Sequence, residues 1–202
     1  MKLDNPNFNA LYMYTKALSV ALGYRDVLTR LHSERVQNLS ASLGTAYGLN
    51  DEELAALKIA ASFHDVGKIG IPDHILLKPA KFDEYEWEKM KQHSEIGEKI
   101  IASTELDGAE HAARVIRHHH ENYDGSGYPD GLAGTSISVC SRIITIADNY
   151  DAMAVTRSYH NAKTHPEVMQ IMREETGRKH DPELMRLFCE IIETSPYKTT
   201  MA

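Results

Sequence analysis

The chain of 202 residues is short of cysteine, of tryptophan, of long apolar runs and of net positive charge. Its two cysteines, Cys140 and Cys189, exclude a disulfide framework and a cysteine-rich zinc site, and their apolar flanks (SVCSRI, LFCEII) suit buried thiols in a reducing compartment. No uninterrupted apolar run approaches the roughly 18 residues of a membrane span. The start, MKLDNPNFNA, lacks the basic-then-apolar pattern of a secretory signal. These absences point to a cytoplasmic protein without membrane insertion. With 22 basic and 29 acidic residues, the formal net charge of −7 argues against binding a nucleic-acid polymer through its phosphates. An anionic substrate would have to meet positive charge placed locally. Nor does any stretch sustain the apolar–polar alternation of a half-buried strand, so the expected class is all-α.

What is present is helical periodicity with local start and stop signals. Helices are expected over about residues 7–22, ended by Gly23, and over about 25–47. Asn50 with Glu53 predicts a capping box for a third, ending near Gly67, and Asp83 with Glu86 another for a fourth that runs to about Ile101. A fifth covers about 109–120. Residues 122–138 (NYDGSGYPDGLAGTSIS) hold four glycines and a proline and must be a loop. A sixth helix runs from about Val139 to Thr156, a seventh begins at Pro166, and Asp181–Pro182 caps the last. The expected organisation is an N-terminal helix (1–23) for packing or dimerisation, one helical domain (24–194) and a frayed tail (195–202).

Eleven histidines stand out. Placed at about 100° per residue, His64, Asp65 and Lys68 share a face with Leu57 and Ala61. His93 lines up with Met90 and Gly97, His32 with Leu28, Val36 and Leu39, and Asp148 with Ile144, Ala152 and Val155. A lone core histidine is ordinarily a hydrogen-bonded structural residue, and His119–His120 could be a solvated helix end favoured by the helix dipole. Four helices aiming such groups into one core, where an unpaired charge is costly, make a metal the simpler explanation. His74, His111, His165 and His180 are expected in loops, at helix starts or on polar faces, and His118 as a neighbour of the cluster outside it.

The motifs HSERV (32–36), HDVGKIGIPD (64–73), HSEIG (93–97), HHENYDGSGYP (119–129), ADNYDA (147–152) and RSYH (157–160) resemble, in order, those of the HD-GYP family, a branch of the HD-domain metallohydrolases. The resemblance runs from about Arg25 to Phe188 and implies a helical bundle with a Gly-rich GYP loop. The implied activity is opening of cyclic di-GMP to pGpG, with GMP as a further product and cyclic GMP–AMP as a substrate of some relatives. It implies two divalent metal ions, iron or manganese. His32, His64, Asp65 and Asp148 would hold the first, and Asp65 as a bridge with His93, His119 and His120 the second. A hydroxide shared by the two ions would attack phosphorus. Asp65 and Lys68 are the implied catalytic residues, and Lys68, Tyr128, Arg157 and His160 would contact substrate. Asp124 and Gly125 would fix the loop.

This chain departs from the family pattern at three places. Leu28 stands where members with a third metal carry glutamate, which favours two metals. Ser158 and His160 replace a proline and a lysine of the RPYK-like segment, and His180 stands where an aromatic residue is common. The altered segment supports a second reading, a module that binds cyclic dinucleotide or a partner protein without useful catalysis. A third is other HD-type chemistry, on a different nucleotide or as a di-iron oxygenase. A homodimer or a separate regulatory protein is the expected partner of the N-terminal helix.

Overall fold

A computed structural model describes residues 6–25, 27–155 and 162–199. Among them the chain forms ten α-helices, two 3-10 turns and no strand, as the periodicity predicts. The helices are α1 (Pro6–Arg25), α2 (Val27–Tyr47), α3 (Asp51–Phe63), α4 (Asp73–Leu76), α5 (Glu84–Lys91), α6 (His93–Ala102), α7 (Ala109–Arg117), α8 (Val139–Ala154), α9 (His165–Glu174) and α10 (Pro182–Ile192), with the 3-10 turns at Val66–Gly70 and Gly134–Ser136. No helix among the described residues is long and apolar enough to cross a membrane.

The core lies where α2, α3, α7, α8 and α10 meet. Leu39, Leu43, Leu57, Ile59, Ile116, Ile143, Ile146 and Phe188 are all no more than 1% exposed there, and α1 adds Leu11. Each of these side chains contributes about 1.5–3 kcal/mol by leaving water. A smaller apolar cluster, Ile71, Ile75 and Met90, sits under α4 and α5. Both predicted capping boxes form: Asn50 Oδ1 accepts from Glu53 N at 3.0 Å, and Asp83 Oδ1 from Glu86 N at 2.8 Å.

Tertiary contacts move several expected boundaries. Helix α1 passes Gly23 and ends at Arg25, whose guanidinium donates to the carbonyls of Ile69 (2.6 Å) and Ile71 (3.0 Å) and pairs with Asp73. Helix α3 stops at Phe63, short of Gly67, and the chain tightens into the 3-10 turn Val66–Gly70. The single helix expected over 83–101 is two helices broken at Gln92, and α7 ends at Arg117, which puts His118–His120 in the turn that follows. Gly67 packs closely against the start of α6. A Cβ there would lie 1.9 Å from the His93 carbonyl oxygen and 2.5 Å from Gly97 N. The first turn of α6 therefore rests on bare backbone, and no local signal at Gln92 announces it.

His165 starts α9 and His180 lies in the loop before α10, and both are buried. His165 lies 2.9 Å from the Tyr150 hydroxyl. His180 is 1% exposed, and neither ring nitrogen has a hydrogen-bond partner. Its segment supports the glycine-rich loop, because Tyr123 N and Asp124 N donate to the carbonyls of Lys179 (3.1 Å) and Arg178 (2.8 Å). In the C-terminal tail, Thr199 N donates to the Tyr150 hydroxyl at 3.1 Å.

Burial lowers the pKa of His180 to about 4, with Glu175 opposing. The folded chain thus keeps this ring neutral while the unfolded chain protonates it near its usual value of about 6.5. Stability from this group is complete above that value and is lost as pH falls from about 6.5 towards about 4. His180→Phe is expected to remove that loss, a difference from wild type of about 1–2 kcal/mol at pH 5 that vanishes at pH 7.5. Denaturant melts of the two proteins at both pH values measure it, and equal acid limbs would count against it.

Candidate metal centre

Five segments of the chain bring imidazoles and carboxylates to one point. Helix α2 supplies His32, the end of α3 and the following turn supply His64 and Asp65, α6 supplies His93, the turn after α7 supplies His119 and His120, and α8 supplies Asp148. Two groups of donor atoms gather within 4.8 Å of one another: His32, His64 and Asp148, and His93, His119 and His120. Asp65 lies between them. Its Oδ1 is 3.7 Å from His93 Nε2, and its Oδ2 is 3.6 Å from His64 Nε2 and 3.9 Å from His32 Nε2.

The backbone fixes which nitrogen of each ring faces the centre. His64, His93 and His119 each place Nδ1 on the carbonyl three residues earlier, Ala61 (2.8 Å), Met90 (2.7 Å) and Ile116 (2.6 Å). A carbonyl only accepts, so Nδ1 carries the proton and Nε2 turns its lone pair inward. His120 Nε2 and His93 Nε2 then face each other at 3.1 Å, His93 Nε2 and His119 Nε2 at 3.4 Å, and buried His64 Nε2 has no hydrogen-bond partner.

Protonation does not relieve this crowding. Burial drives His93 down to about 4 and His120 to about 3, and it lowers His64 and His119 as well. At neutral pH these rings are neutral donors converging on one another, an arrangement that a cation between them satisfies. His32 differs: burial works against its charged form, but hydrogen bonds to Asp148 and Asp151 lift it to about 9. His32 Nε2 lies 3.0 Å from Asp148 Oδ1. Burial also opposes ionisation of Asp65, yet Lys68 and the neighbouring imidazoles hold its carboxyl well below the usual range. The donors fit a divalent metal, being imidazole nitrogen and carboxylate oxygen with no sulfur.

A second layer orients the first. Asp151 Oδ2 accepts from His32 Nδ1 at 2.7 Å, and Arg35 grips the same carboxylate through Nε (2.5 Å) and Nη2 (2.9 Å). Thr145 Oγ1 donates to the His119 carbonyl at 2.8 Å, and Ser141 Oγ to the Val115 carbonyl at 3.1 Å, so α8 satisfies the open end of α7. Sequence reasoning missed Asp151 and Arg35, although Asp151 lies three residues after Asp148 and therefore on the same side of α8. Asp151→Asn keeps the shape and removes the charge that fixes His32. It is expected to weaken metal affinity about 10–100-fold with an unchanged helical circular dichroism spectrum, measured by competition with a chromogenic chelator; wild-type affinity would contradict the role.

Lys68 donates from Nζ to Asp65 Oδ2 at 2.7 Å, at the rim of the centre. His118 stays outside the cluster and lies 2.9 Å from Asp130 Oδ2. The loop is held by Arg117, which binds Asp130 and Glu98 at 2.7 Å each, and by buried Glu121, whose Oε1 accepts from Asp130 N at 2.7 Å. Asp124 Oδ1 accepts from Ser126 N at 2.9 Å, and Gly125 has φ +84°, a conformation open mainly to glycine. Tyr128, half-buried, stacks on His120 with ring centres 4.9 Å apart. Arg157, Ser158 and His160 lie outside the described residues, as does the side chain of Leu28.

Residues 17–184 match the model of the HD domain. Over 181 residues the chain is 36% identical to a protein of Thermotoga maritima named cyclic di-GMP phosphodiesterase, covering 90% of this chain and 49% of that one. A Xanthomonas campestris protein, the cyclic di-GMP phosphodiesterase response regulator RpfG, is 39% identical over 165 residues, 82% of this chain and 44% of its own length. The chain thus spans about half the length of these relatives. Among solved structures, a cyclic GMP-AMP specific phosphodiesterase from Vibrio cholerae superposes with a TM-score of 0.66 at 17% identity, over 87% of this chain and 48% of that one, which shows a common fold.

Proposed function

The chain belongs to the HD-domain family, and from that membership we propose that it is a metal-dependent phosphodiesterase of the HD-GYP type that opens cyclic di-GMP to pGpG, with cyclic GMP–AMP as the alternative substrate and GMP as a further product. The observation that carries this reading is the pair of donor groups on either side of Asp65, one facing each of its oxygens. The names of the relatives, which cover cyclic di-GMP and cyclic GMP-AMP phosphodiesterases, supply the substrate class.

Two divalent ions, iron or manganese, suit these donors; when bound, they supply Lewis acidity at the phosphoryl group and lower the pKa of the attacking water. His32, His64 and Asp148 would hold one, His93, His119 and His120 the other, and Asp65 would join both. The rest falls to the chain itself. Asp65 stays ionised in a buried place because Lys68 lies 2.7 Å from it. The same ammonium at the rim can meet a non-bridging phosphate oxygen as charge develops there. The Tyr128 ring lies against His120, with ring centres 4.9 Å apart. Arg157 and His160 are assigned to the substrate on the motif resemblance alone.

Protein loaded anaerobically with Fe(II) or Mn(II) is expected to contain two ions per chain and to convert cyclic di-GMP to pGpG, read by chromatography beside calorimetric binding of the same ligand. Turnover by metal-free protein would overturn the reading. Saturable binding without product would replace it with the binding-module alternative.

A further inference from the structure

Trp87 is the sole tryptophan of the chain, and it stands at the edge of the metal centre. Two ring-to-ring steps connect them: His120 to Tyr128 at 4.9 Å and Tyr128 to Trp87 at 6.0 Å, the second edge-on at 83°. Phe82 lies nearly parallel to the indole, 6.5 Å away at 22°. Held between these two rings, Trp87 is nevertheless 45% exposed. The neighbouring apolar cluster Ile71, Ile75 and Met90 carries Leu76, Phe82 and Ile96 on it. Among the described residues no hydrogen bond engages the Trp87 indole N–H. Its exposed part is an apolar ring surface that borders the proposed metal centre.

We propose that Trp87 is the stacking platform for one nucleobase of the cyclic dinucleotide, with Tyr128 as the wall between base and metal centre. The inference rests on the phosphodiesterase reading and adds the residue that holds the base. A purine attached one ribose away from the reacting phosphate needs a π-face beside the centre and no charge, which is what an indole in this setting presents. Lys91, with Nζ 5.8 Å from the Tyr128 ring centre, puts a cation on the same flank. Base–aromatic stacking is worth about 1–3 kcal/mol per base, and it acts alike on ground state and transition state. Its loss should therefore appear in KM and leave kcat alone.

Because Trp87 is the only tryptophan, the unmodified holoenzyme reports on itself. Titration with a hydrolysis-resistant phosphorothioate analogue of cyclic di-GMP is expected to quench its fluorescence with the midpoint that calorimetry gives. Trp87→Leu is expected to raise KM for cyclic di-GMP about tenfold or more at nearly constant kcat, and Trp87→Phe to restore most of the loss. Calorimetric binding with unchanged fluorescence, together with wild-type KM in Trp87→Leu, would overturn the platform and leave the phosphodiesterase reading intact. Absence of both binding and turnover in the holoenzyme would overturn that reading and the platform with it.

Discussion

Asp65→Ala is expected to abolish turnover of cyclic di-GMP, by at least about a thousandfold, since the metal pair contributes several kcal/mol at about 1.4 kcal/mol per factor of ten. The argument is geometric. Every other proposed ligand belongs to one donor group, whereas Asp65 directs one oxygen towards each. Removing it would delete the one carboxylate proposed to serve both ions and leave Lys68 without its partner. Metal content is expected to fall with activity, while the core residues on α2, α3 and α8 keep the helical spectrum. Metal analysis beside single-turnover kinetics checks this. Activity within tenfold of wild type with both metals retained would refute the bridging role.

The second large effect is structural. Gly67→Ala is expected to destabilise the folded chain by about 3 kcal/mol and to lower Tm by roughly 10 °C. The added methyl would meet the His93 carbonyl and the Gly97 amide, and neither can step aside as a side chain tip would. The turn carrying His64 and Asp65 would have to part from α6, which carries His93, so metal affinity should fall too. A melting temperature within about 2 °C of wild type would show that the turn yields easily.

Legibility in the sequence followed the range of the interaction. The capping boxes at Asn50 and Asp83 could be read because donor and acceptor lie three residues apart. The faces of His32, His64, His93 and Asp148 could be read because helical periodicity aims them inward. The break at Gln92 could not, since no local signal marks it. The end of α7 before His118 was hidden for a related reason: Thr145 and Ser141 on α8 take the carbonyls that a longer helix would have used. Burial of His180 accords with a position where the family pattern favours an aromatic residue. Asp151 sat within a motif already quoted, and only its bond to His32 singles it out. Trp87 carries no motif weight at all; its interest comes from what stands on either side of it.

The bonds from His64, His93 and His119 to the carbonyls three residues before them bear on when the centre is made. Each ring is steered by its own turn of backbone, so its orientation is settled as soon as that turn exists. Assembly then reduces to docking a few rigid corners, a task for the apolar core. Such bonds would let folding come first and metal uptake second, the reverse of small zinc domains whose chains stay unfolded until the ion arrives. An ion would then meet rings already turned towards it, with little orientational entropy left to lose.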